Sequence, residues 1–422
     1  MTEADDVREL VRMVKRLSFC RESGTAGFDK AIEILETELY GCGVRDMNRD
    51  TFLWPYWSVS DSDLRVKVGR SFRSVAVVPV ASAGSTSAKS CEGRAIRYQG
   101  AGDVERGGEG WIPIHEGIPS APVYRQLQAE GAQAQLFAIP DNYFRELPYA
   151  QLGEAYFGTE KRCPAGLVRE SDVPTLENGT IVFSVVSICS AVPHHNLYAD
   201  FGPAGLPVHV TIIAHLDSAP FSPGAQDNAS GCAIAACLAG KLAAAPPAKR
   251  VRIVWTVGEE TDFFGAFEHI QSHQDELSGC ILAINLDPCC SGVSDGTTLL
   301  TIGTEALTRW THTVNVNLSR PCRIFDLAQE AAEENPNVAL NGDSVAFATH
   351  DIPGLWFHRT ASGTGCHTPD DTPDKVGEEQ LYDVLEQSET FLQEALGIED
   401  RFGVNPLLVR SLNQYLADYP GL

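Results

Sequence analysis

Residues 208–231 read VHVTIIAHLDSAPFSPGAQDNASG and carry the clearest structural signal in the chain. An apolar run, Val208–Ile213, is followed by His215 and Asp217, and a loop then leads into a small-residue helix predicted over Ala229–Ala245. A strand, a loop and a helix in this order form the repeating unit of an α/β sheet. Ligands of such sheets bind beyond the carboxyl ends of the strands. The polar residues that follow this strand are therefore candidates for a functional site.

The same order of elements recurs along the back half of the chain. Further strands are predicted at Val251–Val257, Ile281–Leu286 and Gly354–Phe357, and a further helix at Phe264–His273. Alternation of this kind predicts an α/β fold with a mixed sheet that is parallel at its centre and flanked by helices.

Amphipathic helices are predicted at both ends of the chain. Apolar residues recur at helical spacing over Val7–Leu17 and Phe28–Leu39, and again over Val376–Leu396. A last amphipathic stretch, Leu407–Leu416, could pack on its own chain or on a second subunit, so a homo-oligomer remains open.

The segment 60–178 differs in character from the rest. Short β-rich runs such as Leu64–Val68 and Ser74–Pro79 alternate with turns rich in Gly, Ser and Ala. Its helical segment Ala121–Ala132, the strand Gln135–Ile139 and the stretch Pro164–Leu176 resemble the protease-associated domain that is inserted in many metallopeptidases. We therefore predict an inserted module at 60–178 and a main domain formed by 1–59 and 179–422.

Composition restricts the partners and the location of the protein. Of its 422 residues, 32 are Lys or Arg and 56 are Asp or Glu, which gives a formal charge of −24 that would repel nucleic acid and anionic lipid. The acidic start, Met1–Asp6, lacks the features of a secretory signal, and no apolar stretch is long enough to span a membrane. The 12 cysteines include no CxxC pair. These features predict a cytoplasmic protein with no nucleic-acid or membrane partner.

Metal-binding residue types follow several of the predicted strands. His215, Asp217 and Asp227 are the first group, the pair Glu259-Glu260 follows the next strand, and Asp287 and His367 complete the set. Each has a structural alternative: an Asp can simply cap a helix, and a pair of Glu residues can form a solvated loop. Together they supply the imidazole and carboxylate ligands that zinc accepts, in numbers sufficient for two ions.

The positions of these side chains in the sequence suggest a role for each of them. His215 and Asp217 are two residues apart, so they can point to one side, where the carboxylate would orient the imidazole as a ligand. Asp227 has two oxygens, each able to bind one cation of a pair. If the chain turns at Gly258, one residue of the Glu pair can bind metal while the other remains a base.

The full set of motifs resembles one peptidase family. His215-x-Asp217, Asp227-Asn-Ala-Ser-Gly, Gly258-Glu-Glu, Asn285-x-Asp287, Gly342-Asp-Ser-x-x-Phe and His367-Thr-Pro-x-Asp-Thr are similar, in order, to the motifs of the M28 family of dizinc aminopeptidases. The resemblance covers about residues 180–395 and implies a fold of the zinc-peptidase/phosphorylase-like type. It also implies a peptide or peptide-like substrate that loses its N-terminal residue.

The resemblance further implies specific roles for the site residues. One zinc ion would be bound by His215, Asp227 and Asp287, and a second by Asp227, Glu260 and His367. Glu259 would be the general base, with Asp217 as a supporting catalytic residue. For the substrate pocket we predict the following lining residues: Trp356, Phe357, Phe263 and Cys366.

Departures from the family pattern leave part of the chemistry open. The residues after Glu260 are Thr-Asp-Phe-Phe-Gly-Ala, where family members commonly have x-Gly-Leu-x-Gly-Ser. Cys366 stands where many members have the Tyr that stabilises the oxyanion. Side-chain specificity and the natural substrate are not readable from the sequence. The alternatives are glutaminyl cyclase-like or N-acyl or peptide amidase activity on the same scaffold, or a receptor-like protein that has lost catalysis.

Overall fold

The computed structural model describes residues 3–86, 89–100, 102–103, 110–147, 149–150, 162–291, 296–327, 342–359 and 365–417. Within these ranges the α-helices, in chain order, are α1 (Glu3–Leu17), α2 (Ala26–Gly41), α3 (Ala121–Ala129), α4 (Val173–Leu176), α5 (Ser230–Ala244), α6 (Phe264–Ser272), α7 (Gln274–Leu277), α8 (Glu305–Asn315), α9 (Ser344–Thr349), α10 (Glu378–Leu396) and α11 (Pro406–Ala417).

The strands, in chain order, are β1 (Met47–Val68), β2 (Ser71–Val75), β3 (Val78–Pro79), β4 (Cys91–Arg97), β5 (Ile112–Glu116), β6 (Gln135–Ile139), β7 (Ala165–Arg169), β8 (Thr180–Phe201), β9 (Val208–His215), β10 (Arg250–Thr256), β11 (Leu282–Leu286), β12 (Thr298–Ile302), β13 (Arg323–Asp326) and β14 (Gly354–His358). Among the residues that the structure describes, no helix is both long enough and apolar enough to cross a membrane.

Contacts divide the chain into two compact units. The first contains Met1–Trp54 and Pro193–Ala417, and the second contains Pro55–Val192. The predicted boundaries, 60–178 for an inserted module, lie inside those of the second unit. The observed strand β1 is much longer than the predicted run Leu64–Val68, because it already begins at Met47.

The first unit has the predicted α/β architecture. Strands β10, β9, β11 and β14 are parallel neighbours, and the antiparallel strands β8 and β12 flank this parallel centre. The predicted fold class, a mixed sheet that is parallel at its centre, is therefore confirmed. Strand β9 has buried side chains on both faces of the sheet, and for this reason helices cover both faces. Its alternate residues Val210, Ile212 and Ala214 join one buried apolar cluster, whereas Ile213 joins another.

The helices on the two faces differ. Apolar residues of α1, α2, α5 and α10 fill one cluster, and those of α6, α9 and α11 fill the other. Helix α5 is rich in Ala, Gly and Cys and is buried over nearly its whole length, so it can approach the sheet closely. At its N-terminal end the carboxyl ends of the parallel strands bring the polar segments together.

The second unit is described here by itself. It contains a short run of parallel strands, β4, β5, β6 and β7, with β3 antiparallel to β7. The hairpin of β1 and β2 belongs to it as well. The helix predicted at Ala121–Ala132 ends at Ala129, and the strand Gln135–Ile139 has its predicted bounds. Its assignment as a protease-associated domain remains a prediction, and part of the predicted segment lies outside the described residues.

Candidate metal and catalytic site

The predicted ligand residues meet at the carboxyl edge of the parallel strands in the first unit. His215 ends β9 and Asp287 directly follows β11, while the Glu pair follows β10 in a single 3-10 turn. We call the six residues that converge the central cluster: His215, Asp227, Glu259, Glu260, Asp287 and His367. Ligand-type atoms of five of them, all except His367, form two overlapping groups in which all atoms lie within 4.8 Å of one another.

Fully buried His215 stands in the middle of the central cluster. Its Nε2 atom lies 3.0 Å from an Asp227 oxygen and 3.0 Å from an Asp287 oxygen. The nearest Glu259 oxygen is farther away, at 3.9 Å. On the other side of the ring, Nδ1 is 3.5 Å from Asp217, at the outer limit of a hydrogen bond. Asp217 is thus on the predicted side of His215, but the contact is long.

Asp227 lies between the two histidines. One of its oxygens faces His215, and the other lies 2.9 Å from Nε2 of His367. Helix capping by Asp227 was the structural alternative to metal binding, but the backbone at Asp227 and Asn228 is not helical, and α5 begins only at Ser230. The Asn228 side chain accepts a hydrogen bond from Gly231 N–H at 3.0 Å and donates one to Leu286 O at 2.8 Å. These two hydrogen bonds connect the start of α5 to the end of β11.

The chain turns at Gly258, as predicted. Gly258 has φ of 73°, and a Cβ there would lie 2.3 Å from the Trp54 ring, so only glycine fits. The turn directs both carboxylates to one site. Glu260 lies 3.3 Å from His367 Nε2, whereas Glu259 has no imidazole nitrogen nearer than the 3.9 Å to His215.

The two remaining members differ in exposure. Asp287 is buried, and its backbone carbonyl accepts a hydrogen bond from the Trp356 indole. His367 lies on a loop in the left-handed conformation, with φ of 60°, and its side chain is 62% exposed. The second histidine therefore faces solvent, on the side from which a substrate could reach the cluster.

Negative charge is in excess within the cluster, and the pKa values reflect this. Burial and the neighbouring Asp287 raise the pKa of Glu259 well above its ordinary value, and burial raises the pKa of Glu260 to about 7. Burial lowers the pKa of His215, but the surrounding carboxylates outweigh it and raise that pKa well above normal. Glu260 and Asp227 raise the pKa of His367 to about 10.

This geometry fits cations better than protons. Each histidine Nε2 has two carboxylate oxygens within 2.9 to 3.3 Å, and one N–H cannot make two full hydrogen bonds. A cation can be shared among all of these atoms. The mixture of imidazole nitrogen and carboxylate oxygen is one that zinc accepts. The residues present therefore fit divalent zinc.

Two further carboxylates support the central cluster, and of these only Asp371 was not assigned a role from the sequence. Buried Asp371 accepts hydrogen bonds from the backbone N–H groups of Gln226 and Asp227, at 2.9 and 3.1 Å. Asp217 accepts bonds from the Ser23 hydroxyl, at 3.1 Å, and from Glu259 N–H, at 3.4 Å. Both Asp residues thus hold the backbone or the loops that carry the central cluster.

Arg21 is the supporting residue that sequence reasoning missed entirely. It is fully buried, and its guanidinium donates to backbone carbonyls of Leu216, Pro223 and Gly224 at 2.8 to 3.0 Å. The backbone N–H of Arg21 donates to the Ser218 hydroxyl at 3.0 Å. Arg21 therefore ties together the loop between His215 and Asp227. A single Arg after a helix carries no pattern, so no sequence signal could have revealed it.

The predicted pocket residues have mixed positions. Phe357 is fully buried and packs against Phe391 in the core, with ring centroids 5.8 Å apart. Phe263 is buried, with φ of 59°, next to the turn that carries the Glu pair. Trp356 supports Asp287 as described above, and Cys366 is half-buried beside His367. The structure thus places Phe357 in the core, while the other three lie beside residues of the central cluster.

Comparison with known sequences agrees with this picture. Residues 196–391 match the family described as Peptidase family M28. Aminopeptidase YwaD of Bacillus subtilis is 35% identical over 79 residues, which is 18% of this chain and 17% of that protein. The uncharacterized protein YfbL of Escherichia coli is 36% identical over 103 residues, 22% of this chain and 29% of that protein. The aligned stretches thus span less than a third of either relative.

Solved structures extend the likeness to nearly the whole chain. An aminopeptidase from Aneurinibacillus sp. strain AM-1 superposes with a TM-score of 0.74 at 19% identity, covering 95% of this chain and 96% of the other. A zinc aminopeptidase from Bacillus subtilis gives a TM-score of 0.76 at 17% identity, covering 92% and 95%. At these identities the likeness establishes the fold. The sequence match over 196–391 and the motifs in their family order assign this part of the chain to peptidase family M28.

Proposed function

We propose that this protein is a dizinc aminopeptidase that removes the N-terminal residue from peptides or peptide-like small molecules. One observation carries the proposal. Asp227 directs one carboxylate oxygen to each of two histidines, and each histidine faces a further carboxylate, Asp287 or Glu260. This is the arrangement expected of two ligand sets that share one bridging residue.

In this proposal the ligands fall into two sets. His215, Asp227 and Asp287 would bind one ion, and Asp227, Glu260 and His367 would bind the other. Bound zinc supplies Lewis-acid chemistry, because it lowers the pKa of water and polarises a carbonyl. The relative's printed name, zinc aminopeptidase, supports the choice of metal.

Glu259 is the proposed general base. Of the three carboxylates of the cluster that lie within 4 Å of His215 Nε2, Glu259 is the farthest, at 3.9 Å against 3.0 Å for Asp227 and Asp287. It takes a proton from the attacking water and returns it to the departing amine. Its raised pKa suits a group that must hold the proton between the two transfers. Asp217 holds Glu259 N–H and so helps to position this base.

The acidic surroundings favour a substrate with a free α-amine. Carboxylates and metal-ligand positions lie side by side in the central cluster, so a free α-amine would bind there either through its nitrogen to a bound ion or as an ammonium beside a carboxylate. Hence we propose removal of the terminal residue rather than cleavage inside a chain. The cytoplasmic location and the homo-oligomer stay predictions.

A substrate panel and metal analysis test the proposal together. Zinc-loaded protein should hydrolyse aminoacyl-anilides, lose this activity on chelation and regain it with zinc. A peptide with N-terminal glutamine, assayed beside them, separates the aminopeptidase from a glutaminyl cyclase, and an N-acylated peptide separates it from an amidase. Cyclisation of glutamine without anilide hydrolysis would contradict the proposal.

Ligand variants test the two sets of residues. His215→Ala and His367→Ala should each lower the zinc content, measured by elemental analysis, because each removes an imidazole ligand. Only His215→Ala should also lower the thermal stability markedly, since His215 is buried and His367 is exposed. The exposed His312→Gln serves as the control and should match the unaltered protein.

A further inference from the structure

A second group of histidines and a carboxylate lies in the first unit, apart from the residues assigned above. We call it the second cluster, and it consists of Asp50, His269 and His273. Asp50 is on β1, His269 is on α6, and His273 directly follows α6. The two histidines are four residues apart, so their rings lie on one side of the helix, with centroids 4.7 Å apart.

The second cluster has the geometry of a ligand set. Asp50 Oδ2 lies 2.6 Å from Nδ1 of His269, and Asp50 Oδ1 lies 2.8 Å from Nε2 of His273. The three potential ligand atoms all lie within 4.8 Å of one another. Asp50 and His269 are buried, and the His273 side chain is 16% exposed, so solvent reaches the second cluster at His273.

Neighbouring groups orient two of these side chains. Nδ1 of His273 lies 3.0 Å from a Glu276 oxygen, and a carboxylate at that nitrogen leaves Nε2 available as the ligand atom. Asn196 Nδ2 donates to Asp50 Oδ2 at 3.2 Å and to Gly265 O at 2.8 Å. Metal-binding histidines and carboxylates are commonly held in this manner by a second ring of hydrogen bonds.

Hydrogen bonds among the three residues leave the cluster incompletely satisfied. His273 faces carboxylates on both nitrogens, so it must carry two protons to donate to both. Within the part of the chain that the structure describes, Nε2 of buried His269 has no hydrogen-bond partner.

Charge near the second cluster is also unbalanced. Asp200 and Glu276 form ion pairs with Arg250 and Arg252. Asp50 adds a third carboxylate, which both rings of the second cluster contact. Three carboxylates therefore face two guanidinium groups, and a divalent ion at Asp50 would offset the remaining negative charge.

We propose that Asp50, His269 and His273 bind one divalent transition-metal ion, separate from the central cluster. Two imidazole nitrogens and a carboxylate oxygen are ligands that Zn²⁺, Co²⁺ and Ni²⁺ accept, with the remaining position for water. The ion would join strand β1 to helix α6. Its role is structural, because no further carboxylate of the cluster is left to act as a base.

Metal counting tests the site directly. The full-length protein is stripped with a chelator, dialysed against Zn²⁺ alone and analysed for zinc per chain. The unaltered protein should bind one equivalent of zinc per chain more than Asp50→Asn or His273→Gln, whatever the total number of zinc ions that it binds. The exposed His312→Gln should match the unaltered protein, and His367→Ala should retain the extra equivalent, which separates this site from the central cluster. Equal zinc in all of the second-cluster variants and the unaltered protein would overturn the proposal.

A measurement on the unaltered chain guards against variants that fail to fold. Crystals soaked in Zn²⁺ should show anomalous scattering between Asp50 and the two rings. Anomalous peaks at the central cluster alone would mean that the second cluster is a hydrogen-bonded network without metal. This outcome would overturn the second site and leave the proposed aminopeptidase intact, so the two proposals fail independently.

Discussion

The central and second clusters contain the same residue types, histidine and acidic residues, but in different proportions. In the central cluster two histidines face four carboxylates, and burial raises the pKa of both Glu259 and Glu260. In the second cluster two histidines share one carboxylate. Burial there opposes ionisation of Asp50, but hydrogen bonds from both rings outweigh it and hold the pKa of Asp50 well below normal.

The difference bears on the roles proposed for the two clusters. A surplus of carboxylate leaves Glu259 without a close imidazole, as the proposed general base requires. In the second cluster both oxygens of Asp50 are engaged by histidine, and none is spare. The second cluster therefore has no free carboxylate oxygen of Asp50 with which to do acid–base chemistry.

The largest expected effect comes from removing the surplus carboxylate. Glu259→Gln should lower kcat by about 10³-fold, within the range of general acid–base catalysis. Zinc content should stay near normal, because the two closer carboxylates of His215 are kept. Steady-state kinetics and elemental analysis measure both. Glu305→Gln, at an exposed position, is the control, and a near-normal kcat in Glu259→Gln would refute the role of base.

Arg21 gives the next largest effect and tests how the central cluster is supported. Arg21→Met should lower the free energy of unfolding by about 3 kcal/mol, because several buried carbonyls lose their donor. Arg21→Lys should restore little of it, since an ammonium group cannot reproduce the planar set of donors. Chemical denaturation measures the change. Exposed Arg309→Met is the control. If Arg21→Met lowers the free energy of unfolding no more than Arg309→Met does, Arg21 does not support the central cluster.

His194 provides a contrast, as a buried imidazole that accepts a hydrogen bond from Gly24 N–H at 3.1 Å. Burial lowers its pKa to about 4, against about 6.5 in the unfolded chain. The unfolded state therefore binds the proton first as pH falls. Stability from neutral His194 is fully present above about pH 6.5 and is lost towards pH 4, on the order of 3 kcal/mol.

Denaturation between pH 7 and pH 4 measures this contribution. His194→Gln should flatten the decline in that window, because the group that titrates is gone. His312→Gln, at an exposed site, should keep the full decline. An unchanged pH profile in His194→Gln would show that other groups cause the loss.

The smallest expected effect concerns Cys366, the position at which the sequence departs from the family motif. Cys366→Tyr should raise kcat modestly, by less than the roughly 10²-fold cost of removing an oxyanion donor, because the hydroxyl is added without the surroundings that would preorganise it. The KM should change little. The exposed Cys42→Tyr is the control, and a fall in kcat would show that the pocket has adapted to the smaller side chain.

Sequence alone determined the periodic and local features of this protein. The apolar runs predicted β9, β10, β11 and β14 to within one or two residues, because their strand-sized length and the turns around them are local properties. The order of strands and loops also placed the polar residues at one edge of the sheet. The turn at Gly258 could be predicted as well, since two adjacent carboxylates can face one site only where a strand ends.

Only the tertiary structure decided which distant groups meet. Arg21 reaches the loop after His215 across almost two hundred residues, and Asp50 reaches His269 across a similar separation. The early start of β1 and the burial of Phe357 in the core also depend on neighbours from other elements. Such contacts leave no period in the sequence, because a buried charge or hydrogen bond is fixed by its partner in space rather than by its neighbours along the chain.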